Sequence, residues 1–549
     1  MRYPPDITNQ NHIPSDIGMP ENGLGKMNKR RTQAKVESQP ENSIHNPELF
    51  FGLVGPIGVD IETVVEALAR TLKEVDYDAE PVHLTQHMEN SQIKSHIENV
   101  SYHKRYMSLI KYANEFRKIA GSPAAMAGLA VLTIRKIRSN HTSSETLPSL
   151  GTGYIIRQFK RPEEIAAMRR IYGRKFVQVS VYGSPLDRRK VLMEKIASFD
   201  ASPKTDADRE RQAIELIETD ANQADEENGQ RLADVFHLGD VFVDGIDREK
   251  AETTLRRFIR AFFGNNAASL TIEEFGLYTA SAAALRSVDL SRQVGSAIFT
   301  PSGDIISMGC NEVPKPGGGN YWADSGETLS RDIERGNDAN QARKAEIVFD
   351  LVERLGRSQM LASELAALAS VPERVAAVMS KTAVRDAQIM DIIEFGRMIH
   401  AEMSALTDAA RLGRSTKDAT LYCTTYPCHL CAKHIVAAGI MRVVFLEPYP
   451  KSAAQKLHDD SITSERTDAK KVLFEPFMGI SPRRYREIFE KKRRKGSDGR
   501  ALDWYEKVPV PLVEDKSAAY IENEESEVFL ALPNFLRGRG KKPKPAGPK

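Results

Sequence analysis

Between residues 47 and 268 the hydrophobic positions alternate between two periods. LFFGLVGPIG is a short apolar run ending in closely spaced glycines, and DIETVVEALARTLKEV after it carries apolar residues at helical spacing. The expectation is strand, glycine turn, helix. A basic helical stretch follows, SYHKRYMSLIKYANEFRKIAG, and then GYIIRQFKRPEEIAAMRRIYGRKFVQVSVYG reads strand, helix, strand, with Pro162 near the helix start. DVFVDG and the helix DREKAETTLRRFIRAFFG, ending at Gly264, complete the stretch. Strands alternating with helices predict an α/β domain with a mostly parallel sheet over about 47–268.

A second domain is predicted over 269–525. It opens with the helix TIEEFGLYTASAAALRSV, and QVGSAIFTPSGDIISMGCNEVP then reads as two strands around Pro301, Ser302 and Gly303. From about 323 to 390 the chain is helical and charged and interrupts the alternation, as an insertion does. After it come a helix from His400 to Leu412, the strand ATLYCTT, the helix CHLCAKHIVAAG and the strand RVVFLEPY. Residues 1–46, rich in Asn, Pro, Ser and charge, read as a disordered tail, and 526–549 as a basic one.

Composition narrows the class. At 549 residues the chain exceeds one ordinary core, and 41% hydrophobic with 28% charged residues is a soluble globular profile. No apolar run approaches the roughly 20 residues of a membrane span, and the N-terminus lacks a secretory pattern. Four cysteines make a disulfide framework improbable and place the chain in a reducing cytoplasm. A net charge of +2 excludes the global field of a nucleic-acid binder. The basic runs KMNKRRTQAK, EKKRRKGSDGR and RGRGKKPKPAGPK read as solvated tails and one exposed helix face.

One grouping carries chemistry. HAEMSALTDAARLG begins at His400, and TTYPCHLC ends at Cys431. Cys428 and Cys431 at a helix start share a face and can grip one metal ion, with His400 as a third ligand. Three protein ligands leave the fourth tetrahedral position of Zn2+ open, as catalysis needs. Glu402, two residues past His400, stays near the metal and can move protons between a water and a leaving nitrogen. H-x-E followed by P-C-x-x-C is the signature of zinc nucleobase deaminases, which attack C4 of cytosine or C6 of adenine and release ammonia. Cys310 and Cys423 read as buried thiols, and His429 and His434 as non-ligands.

RSVDLSRQVGSAIFTPSGDIISMGCNEVP, then HAE, then TLYCTTYPCHLCAKHIVAAGIMRVVFLEPYPKS, resembles the deoxycytidylate (dCMP) deaminase branch of the cytidine deaminase-like superfamily over most of 270–485. The resemblance implies an α/β/α three-layer fold, Asn311 against the deoxyribose, and backbone from Thr425 to Pro427 against the exocyclic amino group. It also implies a 5′-phosphate near Lys451. A P-loop NTPase-like parallel-sheet domain in front of such a deaminase is similar to the bacterial anti-phage dCTP deaminases. That similarity implies a homo-oligomer draining the dCTP pool during infection, under a regulatory nucleotide or an inhibitory RNA or protein partner, with no membrane.

The glycine turn departs from the nucleotide-binding pattern. In GLVGPIGVDIE, Gly52, Gly55 and Gly58 precede a helix N-terminus that offers N–H groups to an anion. The Walker spacing is one residue too long from Gly52 to Gly58, and Val59 and Asp60 stand where lysine and hydroxyl belong. Regulation rather than phosphoryl transfer is expected. Two other readings compete: deamination of bases within RNA or single-stranded DNA, against which the 7% aromatic content speaks, and a nucleotide-sensing module.

Overall fold

The computed structural model describes residues 45–536 apart from 89–92, 201–203, 222, 224–225, 227, 325–329, 386, 450–451, 469, 492, 503–508 and 514–516. All but the last two residues of the expected N-terminal tail lie outside the described residues. The first part of the chain forms β1 (Leu49–Val54), α1 (Ile61–Lys73), β2 (Asp78–His83), α2 (Tyr102–Ala120), α3 (Ala125–Thr142), β3 (Thr152–Arg157) and α4 (Pro162–Tyr172). It continues with β4 (Phe176–Tyr182), α5 (Pro185–Phe199), α6 (Asp206–Ala221), α7 (Leu232–Phe236), β5 (Val241–Asp244) and α8 (Arg248–Phe262). β2, β3, β1, β4 and β5 lie side by side in that order, all parallel.

Every residue of β1 is buried, as a parallel strand covered on both faces must be. Leu49, Phe51 and Leu53 face α1 and α8, whereas Phe50 and Val54 face the layer of α3 and α4. Asp60 caps α1 by accepting the Thr63 N–H at 3.1 Å, and Gly121 ends α2 in the left-handed conformation. β2 has no period in the sequence because it is an edge strand: of DAEPVH only Val82 is fully buried.

The second part forms α9 (Ile272–Ala284), β6 (Gly295–Phe299), β7 (Ile305–Cys310), α10 (Asp332–Arg335), α11 (Ala339–Arg357), α12 (Ser363–Ala366), α13 (Val371–Met379) and α14 (Thr382–Arg385). Then come α15 (Ala401–Arg411), β8 (Thr420–Thr425), α16 (His429–Ala437), β9 (Arg442–Glu447), α17 (Ala454–Leu457), β10 (Ile462–Thr463) and β11 (Val472–Pro476). The sheet order is β10-β11-β9-β8-β6-β7, with β6 antiparallel to both its neighbours and the rest parallel. α9 packs Leu277 and Ala280 against Phe299 and Tyr422 on one face. α15 and α16 pack Ala405, Ala409, Cys431 and Ile435 against Ile298, Leu421 and Val443 on the other. This is a three-layer α/β/α sandwich, and α10 to α14 form the helical interruption between β7 and α15.

The C-terminal segment departs from the expected partition at 525. After β11 the chain returns to the first sheet: β12 (Gly479–Ile480) pairs antiparallel with β5, and α18 (Tyr485–Phe489) packs against α8. Farther on, α19 (Tyr520–Ala531) and α20 (Pro533–Leu536) lie where a basic tail was expected, and α19 joins the first core through Tyr520, Ile521 and Val528. The physical reason is Arg138 of α3. Its guanidinium is fully buried, and Glu48 before β1 and Glu524 of α19 neutralise it at 3.0 and 2.8 Å. A buried arginine without those carboxylates would be a large penalty, so the segments bearing Glu48 and Glu524 are tied together through α3.

Candidate active site

Three donors converge at the junction of two helix starts. His400 is the N-cap residue of α15 and Cys428 the N-cap residue of α16, with Cys431 one turn further on. His400 Nδ1 stands 3.2 Å from Cys428 Sγ and 3.4 Å from Cys431 Sγ, and the three ligand atoms all lie within 4.8 Å of one another. Both thiols are buried and none of the four cysteines forms a disulfide. The hydrogen bond from Cys431, and then the one from His400, hold Cys428 far below the usual thiol range despite its burial. The same pairing raises His400, against the effect of burial, to about 9. One imidazole nitrogen and two sulfurs, all within 4.8 Å of one another, make a donor set that fits zinc.

Glu402 sits in the first turn of α15, 4% exposed. Burial, and then the negative charge on Cys428, push its carboxyl above the usual carboxylate range. Cys423 of β8, expected only as a buried thiol, lies against this carboxyl, and Cys310 is buried at the end of β7. His429 and His434 stand apart from the metal-binding group, as expected: His429 Nε2 meets Glu394 at 3.3 Å, and His434 is exposed.

The remaining expected site residues have varied placements. Asn311 is buried at the end of β7, but its amide serves the protein: Nδ2 donates to Arg292 O at 2.7 Å and Oδ1 accepts from Val294 N at 2.7 Å. Its other amide hydrogen has only the Met398 sulfur, 3.9 Å from Nδ2. Thr425 is the last residue of β8, paired with Glu447 of β9, and the Pro427 carbonyl accepts the Ser452 hydroxyl at 2.8 Å. Lys451 lies outside the described residues.

Of the three glycines at the front, Gly52 needs correction. It sits inside β1, where an added Cβ would lie 2.6 Å from the Phe176 ring, so close packing and not an anion explains it. Gly55 and Gly58 do form the turn before α1, and Gly58 has φ +94°.

Sequence patterns did not point to the contacts made by the segment that leads into His400. Ile399 bridges to Glu312, whose buried carboxylate accepts from Val288 and Val313 N–H groups, and Glu394 reaches His429. Asn340 of α11 holds this segment by donating to Ile392 O at 2.8 Å and accepting from Phe395 N. Nothing periodic marks such contacts; they join residues about 50 positions apart.

Residues 271–447 match the family model described as the cytidine and deoxycytidylate deaminase zinc-binding region. With the donor set above, zinc is the cofactor of this region. The chain is 48% identical over 54 residues to the deoxycytidylate deaminase of enterobacteria phage T2, covering 10% of this chain and 29% of that protein. It is 37% identical over 79 residues to ComE operon protein 2 of Bacillus subtilis, covering 14% of this chain and 42% of that protein. It is 32% identical over 92 residues to the mouse deoxycytidylate deaminase, covering 17% and 44%. The chain thus spans less than half the length of each of these relatives. A crystal structure of dCMP deaminase from the cyanophage S-TIM5 with dCMP and dUMP aligns at 18% identity and a TM-score of 0.22, over 38% of this chain and 98% of that one. Among the described residues no helix is long and apolar enough to cross a membrane.

Proposed function

We propose that the chain is a zinc-dependent hydrolase that deaminates the cytosine ring of free deoxycytidine nucleotides, dCTP to dUTP, dCMP to dUMP or both. The convergence of His400, Cys428 and Cys431 beside a buried, protonatable Glu402 carries this reading. When bound there, the ion lowers the pKa of a water towards ~7 and so makes a nucleophile available at neutral pH. Glu402 accepts a proton from that water and delivers one to N3 of the ring. The water oxygen bonds to C4 in that step. Glu402 next takes the remaining proton from the new C4 hydroxyl and passes it to the exocyclic nitrogen, so that the C4–N bond breaks, a C4 carbonyl forms and ammonia leaves. Burial suits Glu402 to both halves of this cycle, because the protonated form is not penalised.

Asn311 acts here mainly by holding the Arg292–Val294 backbone at the mouth of the site, with its second N–H left to meet a deoxyribose oxygen. Backbone from Thr425 to Pro427 faces the exocyclic amine, and Lys451 is assigned to the phosphate by the resemblance alone. Drainage of the dCTP pool as an anti-phage defence rests on the same resemblance in architecture.

The first sheet is read as a P-loop-kinase-like domain that regulates rather than transfers phosphate. Its strand order and the turn from β1 into α1 support the kinship, and Val59 and Asp60 where lysine and hydroxyl belong support the absence of transfer. Homo-oligomerisation belongs to the same proposal, supported by the exposed apolar residues Ile272 and Phe275 of α9 and Leu285 just after it.

Zinc-loaded full-length protein incubated separately with dCMP, dCTP, CTP and a cytosine-containing oligonucleotide tests the proposal. Formation of dUMP or dUTP is expected, with kcat falling by roughly 10²-fold or more in Glu402→Ala. Conversion of the oligonucleotide alone would replace this reading with that of a nucleic-acid editing enzyme.

A further inference from the structure

The first sheet carries a cavity that the deaminase chemistry does not use. It measures about 360 Å³ and opens at the C-terminal ends of β2 and β3, between the glycine turn and α2. In open parallel sheets the crevice at these strand ends is where ligands bind. The turn itself is already occupied by the protein. The Ile57 N–H donates to the Asp220 carboxylate at 2.7 Å, and Lys160 Nζ, reaching in from the residues after β3, bonds Asp220 at 2.7 Å and the Gly55 carbonyl at 2.8 Å. Asp60 likewise takes the Thr63 N–H at the start of α1. A triphosphate has no unfilled anion cradle here: Asp220 already sits in it, neutralised by a buried lysine.

What remains unsatisfied lies deeper and at the rim. Gln230 lines the cavity, is 6% exposed, and its Oε1 has no hydrogen-bond partner among the described residues. A buried amide oxygen left so offers an acceptor to a donor that enters the cavity. Tyr102 and Tyr106 form an aromatic wall, their ring centroids 4.6 Å apart. Arg105 and Lys195, also on the lining, make no ion pair among the described residues, whereas Arg157 is paired with Glu62 and Lys160 with Asp220. Arg105 rests on the Phe199 ring, and Lys195 acts on Asp60 only through its charge. One buried acceptor, a ring wall and two cations without an ion pair describe a ligand with an N–H-bearing planar head and one anionic end.

We propose that this cavity binds a nucleoside monophosphate, its base edge on Gln230 and its phosphate between Arg105 and Lys195, while the glycine turn remains closed by Asp220. A volume of about 360 Å³ is at the small end of ligand pockets, which suits a monophosphate better than an extended triphosphate. The inference deepens the regulatory reading of the first sheet and rests on it; it does not depend on the deaminase reading.

Isothermal titration of full-length protein with dTMP tests it, because thymine has no exocyclic amine to be removed. Saturable binding is expected, weakened about tenfold or more by Arg105→Ala or Lys195→Ala, and similarly by replacing dTMP with thymidine. Arg105 is exposed and rests on the Phe199 ring, and Lys195 is half-buried, so only a small fall in melting temperature is expected in either variant. Deamination of dCMP without added effector should also be unchanged in Arg105→Ala, which separates failure here from failure of the catalytic proposal. ATP binding as tightly as dTMP would overturn the closed turn. Binding of dTMP that both variants leave intact, or no binding at millimolar ligand, would overturn the site.

Discussion

At the residue scale the chemistry depends on positions that each play a part no neighbour can share. The two cysteines and the histidine come from two helix starts, where unpaired N–H groups favour thiolate and keep the side chains directed outward from the helix end. Cys428→Ser removes the sulfur that His400 and Cys431 both approach. The expected result is loss of bound zinc by elemental analysis together with loss of deamination, while His434→Ala retains both. His400, Glu402, Cys428 and Cys431 were legible because their spacing is local: two short motifs on two predicted helices already imply one centre. Asn311 shows the limit. Its type and motif suggested a substrate contact, but which partners satisfy an amide depends on backbone 17 and 19 residues away.

At the element scale α15 is placed by its fit to β7. A Cβ on Gly309 would lie 2.2 Å from the Ala401 carbonyl and 2.4 Å from the Ala405 N, so no other residue allows the helix to approach the strand this closely. Gly309→Ala should cost about 1–3 kcal/mol in urea denaturation and lower kcat, because it displaces the turn that bears His400 and Glu402.

The edge of the first sheet depends on charge instead. Asp240, before β5, is fully buried, and burial by itself would raise its carboxyl. Arg484 at 3.2 Å and Arg169 at 3.1 Å outweigh this and hold it below the usual carboxylate range. A depressed folded-state pKa gives stability that is present above the unfolded value of ~3.9 and is lost as pH falls through the folded one. The difference in urea midpoint between the native protein and Asp240→Asn should therefore be widest near neutrality and shrink below about pH 4. A constant difference across that window would show that the contact is steric.

At the scale of the whole molecule the chain is closed by a buried ionic clasp. Glu524→Ala leaves Arg138 with Glu48 alone and removes the Tyr172 hydroxyl's partner, so a loss of about 3–5 kcal/mol is expected by chemical denaturation. Glu527→Ala, three residues on, breaks only a pair with the half-exposed Arg170 and should cost no more than about 1 kcal/mol. Equal effects would mean that α19 is held by its apolar side alone. The sequence by itself determined the alternation of strands and helices, the β6–β7 hairpin and the zinc-binding donor set, because periodicity and motif spacing act within a few residues. The tertiary structure alone decided that the C-terminal helix completes the first core, that Asp220 and Lys160 fill the glycine turn, and that Glu394 reaches His429. Those outcomes depend on charges and close contacts between residues far apart in the chain, which no local pattern encodes.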